Sequence, residues 1–135
     1  MTTQEKSAYL EKIYRERGYV LEMHKIMVEA DLDWVKAYDP FVQATYTGQR
    51  TLDRKTKELL QIAVEAALRA DVEQIRAHVR VALQHGATPQ EILEALECVV
   101  MPMGMLAFRQ GLQAWAAEVG LQPTEPSIPR LPHSS

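Results

Sequence analysis

The sequence predicts an all-α protein, and three observations predict it. Apolar residues recur at helical spacing, most clearly in the second half of the chain. The boundaries between those stretches carry capping residues, glycines and prolines where helices start and stop. Convincing strand patterns and internal repeats are absent from the 135 residues.

Taken in order, TQEKSAYLEKIYRER is rich in good helix formers and stops before Gly18. YVLEMHKIMVEA forms a second helical stretch and DLDWVKAY a third. Asp39-Pro40 reads as a boundary, because proline disfavours helical backbone in the residue before it and suits a first turn. FVQATYTG then runs to Gly48, and TGQRTL is a loop. Asp53 caps RKTKELLQIAVEAALRA, whose Leu59, Leu60, Ala63, Val64 and Ala67 are expected on one buried face. Asp71 with Gln74 reads as a capping box opening a helix that ends at Gly86. Thr88, Pro89 and Glu91 supply three agreeing start signals for a helix running to Pro102. Beyond Gly104, the residues Met105, Phe108, Leu112, Trp115 and Val119 make a stripe closed by Gly120. A single domain over 1–120 is expected, followed by an extended arm over 121–135 that carries Pro123, Pro126, Pro129 and Pro132.

Composition narrows the function classes. A net charge of -3, with basic residues interspersed among acidic ones, gives no footprint for nucleic acid. No stretch approaches 18 consecutive apolar residues, and MTTQEKSAYLEK lacks the apolar core of a signal peptide. No membrane partner and a cytoplasmic location are the expectations. The single cysteine, Cys98, excludes a CxxC pair, and in LECVVM it reads as a small buried hydrophobe.

His78 is the residue that asks for an explanation. It lies three residues after Ile75 and four before Ala82 on one apolar stripe, so its imidazole should point inward. Arg76 and Arg80 flank it. Arginine grips a carboxylate bidentately and histidine exchanges a proton near neutral pH, so the trio suits a small anionic substrate. A satisfied core imidazole beside two solvated arginines fits the same periodicity.

LDRKTKELLQIAVEAAL, then IRAHVRVALQHGATPQEILEAL, then a helix opening around MPMGMLAF together resemble the carboxymuconolactone decarboxylase family, which shares its fold with alkylhydroperoxidase D. The likeness covers roughly residues 30 to 118. Its most specific pieces are RAHVRVAL and the Gly-x-[ST]-x-x-E-[IL] turn from Gly86 to Ile92. The resemblance implies a subunit of about six to seven helices that assembles into a homo-oligomer, a trimer or hexamer, with sites near subunit contacts. It implies a lyase that needs no cofactor and no metal, with His78 as the site histidine and Glu58 as its acidic relay partner. The peroxidase branch carries cysteines where this chain has Asp71 and Gln74, so thiol peroxidase chemistry is not expected. A Tyr-Ala-Gly-x-Pro-like segment of the decarboxylases is replaced by VMPMGMLAF, which implies an altered pocket lining.

Decarboxylation of an unsaturated lactone acid needs a cationic clamp, a donor to the developing oxyanion and a general acid. Arg76 or Arg80 is the candidate clamp and His78 the proton carrier. Glu97, at the edge of the Leu93–Leu96–Val100 stripe, is either a solvated flank or a second proton carrier. Arg109 is either surface or a further clamp. His85, beside Gly86, reads as a helix C-cap and His24 as a surface or packing residue; His133 falls in the arm. Trp34, Tyr38 and Phe41, with Met101, Met103 and Met105, read as core or subunit contact. A different isomerase, hydratase or ring-opening reaction on the same scaffold, or a non-catalytic ligand-binding oligomer, stands as the alternative.

Overall fold

Five of the helices in this protein start where a side chain accepts an otherwise unpaired N–H group of the first turn. The computed structural model describes residues 2–128. Helix α1 (Thr3–Arg17) is opened by reciprocal bonds between Thr2 and Glu5, at 3.0 and 3.1 Å. Helices α2 (Glu22–Ala30) and α3 (Leu32–Val42) follow, the latter capped by Asp31. Asp53 caps α4 (Arg54–Ala67) and Asp71 caps α5 (Val72–Gln84). The full Thr88–Glu91 box opens α6 (Pro89–Glu97), with Pro89 in its first turn. A single-turn α7 (Val100–Met103) leads into α8 (Met105–Val119). Among the described residues there are thus seven helices of nine residues or more, two shorter helical turns, at Gln43–Thr47 and Val100–Met103, and no strand.

Several boundaries differ from the sequence expectation. Asp39-Pro40 is not a break: α3 runs through Pro40 and continues as a π-helical turn over Gln43–Thr47. Asp39 is buried and bonded by Lys12 and Arg17, so tertiary anchoring overrides the local bias of the residue before proline. The wider turn then absorbs the register change, closing through Gly48 N–H to the Gln43 carbonyl at 2.8 Å. The helix from Thr88 ends at Glu97 rather than Pro102. Cys98 sits in the following turn and is exposed, because its own helix has already ended there.

The core has unequal parts. Helices α4, α5, α6 and α8 bury one large cluster in which Ile62, Ile75, Val79, Ile92 and Leu96 are wholly enclosed. Gly111 lets α8 approach closely: a Cβ there would run into Leu96 and Ala66. A smaller cluster of Ile13, Val28, Leu32 and Val35 unites α1–α3. Tyr19, Val42, Tyr46, Ala77 and Val81 join the two halves. Gly18, at φ 93°, turns the chain out of α1 while its backbone lies against Val81, so any side chain there would be both strained and crowded.

The buried phase of α4 is displaced from the one expected. Glu58, Ile62 and Ala66 are buried, whereas Leu60 and Val64 are 52% and 56% exposed. Leucine and valine counted as core by type, but the packing of α5 and α6 selects the neighbouring face. Trp34, Tyr38, Phe41, Met101, Met103 and Met105 are likewise exposed and lie outside the core of this chain. Residues 121–128 carry no helix or strand and are exposed; the rest of the proline-rich arm, with His133, lies outside the described residues.

Candidate active site

His78 reaches its place because α5 is the helix most deeply enclosed. Ile75 and Ala82 share its face, all three are buried, and the ring itself is 1% exposed. Two carboxylates from α4 flank it. Glu58 Oε2 lies 2.7 Å from Nδ1, and Glu65 Oε1 lies 3.4 Å from Nε2. Glu58 and Glu65 stand seven residues apart, two helical turns, so one helix presents both. Burial alone would push the imidazole towards its neutral form, but the two carboxylates win and raise its pKa to about 9.

Glu58 is a fully enclosed carboxylate with three donors. Besides His78, it accepts from Arg54 Nε at 2.9 Å and from the Tyr46 hydroxyl. Burial raises its pKa, and the bonds from His78, Tyr46 and Arg54 more than reverse that, so it stays ionised. Tyr46 comes from the π-helical turn, which aims its hydroxyl at Glu58 and within 3.4 Å of His78 Nδ1. Burial, Tyr19 and Glu58 push its phenol upward, so it remains a neutral donor. Arg54 stacks over the Tyr46 ring at 4.3 Å and also donates to the carbonyls of Glu16 and Arg17. Gln74 Nε2 donates to Glu65 Oε1 at 2.6 Å. That contact corrects the expected box at the start of α5: Asp71 caps Gln74 N–H, but the Gln74 side chain turns to the site instead of back to the cap.

Beside the cluster lies a cavity of about 300 Å³ lined by His78, Tyr46, Tyr19, Gln74, Gln61, Thr45, Arg17 and His24 among others. Tyr19 meets the His78 ring edge-on at 5.1 Å. On the opposite side, His24 Nδ1 accepts the Leu21 N–H at 2.9 Å. Burial, and then the charges of Arg17 and His78, lower the His24 pKa to about 4. One cavity therefore holds a charged imidazole and a neutral one.

Of the residues expected at the site from the sequence, the structure brings together His78 and Glu58. It does not bring the arginines of α5 to them. Arg76 and Arg80 both bond Glu118 of α8, at 2.9 and 2.8 Å, because their positions on α5 face that helix. Arg109 is exposed and lines a separate hollow with Arg69, Gln110 and Gln113. Glu97 is exposed at the end of α6 and does not line the cavity. None of residues 100–108 lines it either, so VMPMGMLAF contributes no wall to this cavity within the chain. His85 does cap its helix, with Nδ1 3.0 Å from the Val81 carbonyl.

Glu65, Tyr46, Gln74, Tyr19, Arg17 and His24 were not foreseen from the sequence. Glu65 carried a usable signal, the seven-residue spacing from Glu58, and so did Gln74, four residues before His78 on the same helix; the others carried none, since they reach the site from separate elements.

Fold and site together define an all-α protein with a buried histidine held between two carboxylates at the wall of a small cavity. The model of the carboxymuconolactone decarboxylase family matches residues 33–117, and the chain belongs to that family. No curated protein and no solved structure gave a significant match to the chain. Among the described residues no helix is long and apolar enough to cross a membrane.

Proposed function

We propose that this protein is a cofactor-independent lyase that decarboxylates a small carboxylated lactone or related unsaturated acid. The observation that carries the reading is His78, held by Glu58 and Glu65 at the cavity wall with its pKa raised to about 9. Such a ring is loaded with its proton at neutral pH and serves as an acid, not a base. Of its two N–H groups, the one on Nδ1 is committed to Glu58 at 2.7 Å. The one on Nε2 has only the long 3.4 Å contact to Glu65 and is the deliverable proton.

In the proposed reaction the carbon–carboxylate bond breaks and carbon dioxide leaves. The electron pair runs through the double bond to the lactone carbonyl oxygen, to which the hydroxyl of Tyr19, a residue lining the same cavity, would donate. His78 then protonates the ring carbon through Nε2 and recovers a proton from water, so one proton is consumed per carbon dioxide released. Glu58, fixed by Arg54 and Tyr46, keeps the imidazole oriented and cationic. A sulfur-based route has little to work with, because Gln74 occupies the wall and Cys98 is exposed away from the cavity.

Incubation with 4-carboxymuconolactone, followed by ultraviolet absorbance and carbon dioxide release, tests the reaction. His78→Gln is expected to lose at least about 100-fold in rate, within the range for a general acid, while the protein remains folded. An isomerase is the second reading, favoured by the neutral His24 facing the same cavity as the charged His78; it predicts an isomeric product and no carbon dioxide. For the homo-oligomer, the exposed row of Leu60 and Val64 on α4 with Leu68 at its C-cap offers a surface for a second copy, and sedimentation mass tests it.

A further inference from the structure

Arginines near the site differ in how much of their hydrogen-bonding capacity is already used. Arg54 has partners on all three nitrogens, from Glu58, Tyr46 and two backbone carbonyls, and Arg76 and Arg80 are bound to Glu118. Arg17 is different. It is 7% exposed, and only its NH2 group has a carboxylate, Asp39 Oδ1 at 3.2 Å. Its buried Nε has no partner among the described residues, and its NH1 meets only His24 Nε2 at 3.4 Å.

That last contact joins two donors. The Leu21 N–H donates to His24 Nδ1, so Nδ1 is the acceptor of the ring and a neutral imidazole must carry its proton on Nε2. An Nε2–H does not accept from a guanidinium. Two N–H donors, one of them charged, thus face each other in a buried setting, where an unmatched donor is destabilising. An oxyanion between them would satisfy both.

Position supports the same conclusion. The cavity at His78 adjoins a second hollow of about 280 Å³, and both are lined by Arg17, His24, Met23 and Tyr38. The second hollow is otherwise apolar, with Ile13, Met27, Trp34 and Val35 on its walls. We propose that the Arg17–His24 junction is the carboxylate-binding subsite of this cavity, taking an organic acid whose apolar body lies in the hollow between α1, α2 and α3. The proposal rests on the cavity being the substrate site. It assigns the anion clamp to residues that precede the family match at 33–117, so ligand choice belongs to the N-terminal helices of this chain.

Benzoate and its neutral isostere benzamide are the probes, read by imidazole nitrogen shifts in labelled protein and by calorimetry. Benzoate is expected to shift the His24 Nε2 signal and to bind at least about tenfold more tightly than benzamide, as a charge-assisted pair requires. Arg17→Met lowers benzoate affinity by about tenfold or more, whereas Arg76→Gln leaves it unchanged. Should Arg17→Met not fold, His24→Leu keeps the Arg17–Asp39 pair and is expected to lose severalfold in affinity. Equal affinity for the two probes, no change at His24 Nε2, or affinity indifferent to the Arg17 or His24 substitution that folds would each overturn the proposal. Binding that depends on Arg17 without turnover of the lactone would refute the lyase reading alone; turnover with binding independent of Arg17 would refute the subsite alone.

Discussion

The two halves of this molecule are held together by different forces. In α4–α8 the wholly buried residues are nearly all aliphatic, and the close approach at Gly111 gives the packing of a large core. In α1–α3 the apolar cluster is small, and polar ties do much of the joining. Asp39 receives both Lys12 and Arg17, Lys6 pairs with Glu29, and Arg54 clamps the last carbonyls of α1. The difference teaches where each kind of function can sit. Geometry that must not move, the Glu58–His78–Glu65 row, is mounted on the aliphatic half. The residues proposed to meet a ligand from the other side, Arg17, His24 and Tyr19, are mounted on the half with the smaller apolar cluster, which is expected to open first.

The largest expected effect breaks the first half. Leu96→Ala, at a wholly enclosed position, should cost about 2–5 kcal/mol in denaturant unfolding. A loss below 1 kcal/mol would mean that α4–α8 is less tightly packed than described.

Next in size is the second half. Asp39→Ala removes the acceptor of a charged bond to a buried arginine and should cost about 1.5–3 kcal/mol. Its signature is spatial: hydrogen exchange should quicken across α1–α3 and leave α4–α8 protected. Uniform exchange over both halves, before or after the substitution, would erase the contrast.

Changing pH sharpens the comparison, since each half contributes one histidine to the cavity and the two act with opposite sign. His78 has a folded pKa raised from 6.5 to about 9, so its contribution is full below pH 6.5 and lost as pH climbs through 9. The groups that face it are the Glu58 and Glu65 carboxylates on α4 and the neutral phenols of Tyr46 and Tyr19. His24 is lowered to about 4, so its contribution is full above pH 6.5 and fades as pH drops towards 4. Asp39 and Glu58, held below their ordinary values, weaken the fold only at still lower pH. Melting temperature against pH should therefore peak near 6.5. His78→Gln should flatten the alkaline limb and His24→Gln the limb between 6.5 and 4.

The smallest effect concerns residues that belong to neither the core nor the cavity. Arg76→Gln leaves Arg80 on Glu118 and should barely move the melting temperature, with no change in ligand binding. A tenfold loss of benzoate affinity in that variant would return the clamp to α5.

Much of the local structure was legible in the residues. Asp53, Asp71 and Thr88 mark helix starts, and Gly18 and Gly120 mark ends, because capping is settled within a few positions of chain. His78 was legible as an inward residue from its spacing to Ile75 and Ala82, and Glu58 through the family likeness. Arg76 and Arg80 misled because residues two positions from His78 on the same helix point elsewhere, and the sequence does not say that Glu118 waits there. Glu97 misled for a related reason: lying at the edge of an apolar stripe does not fix which side of that edge is covered.

The sequence by itself determined that this chain is helical, where most of its helices begin, and that one imidazole is turned inward. Only the tertiary structure decided that α4 buries Glu58, Ile62 and Ala66 rather than Leu60 and Val64, that Pro40 lies inside a helix, and that Arg17 and His24 look across at His78. Caps and periodicity act over one or two turns, so they are written in neighbouring residues. The phase of a buried face and the meeting of charges depend on which helix packs against which, a relation between segments tens of residues apart that no local pattern encodes.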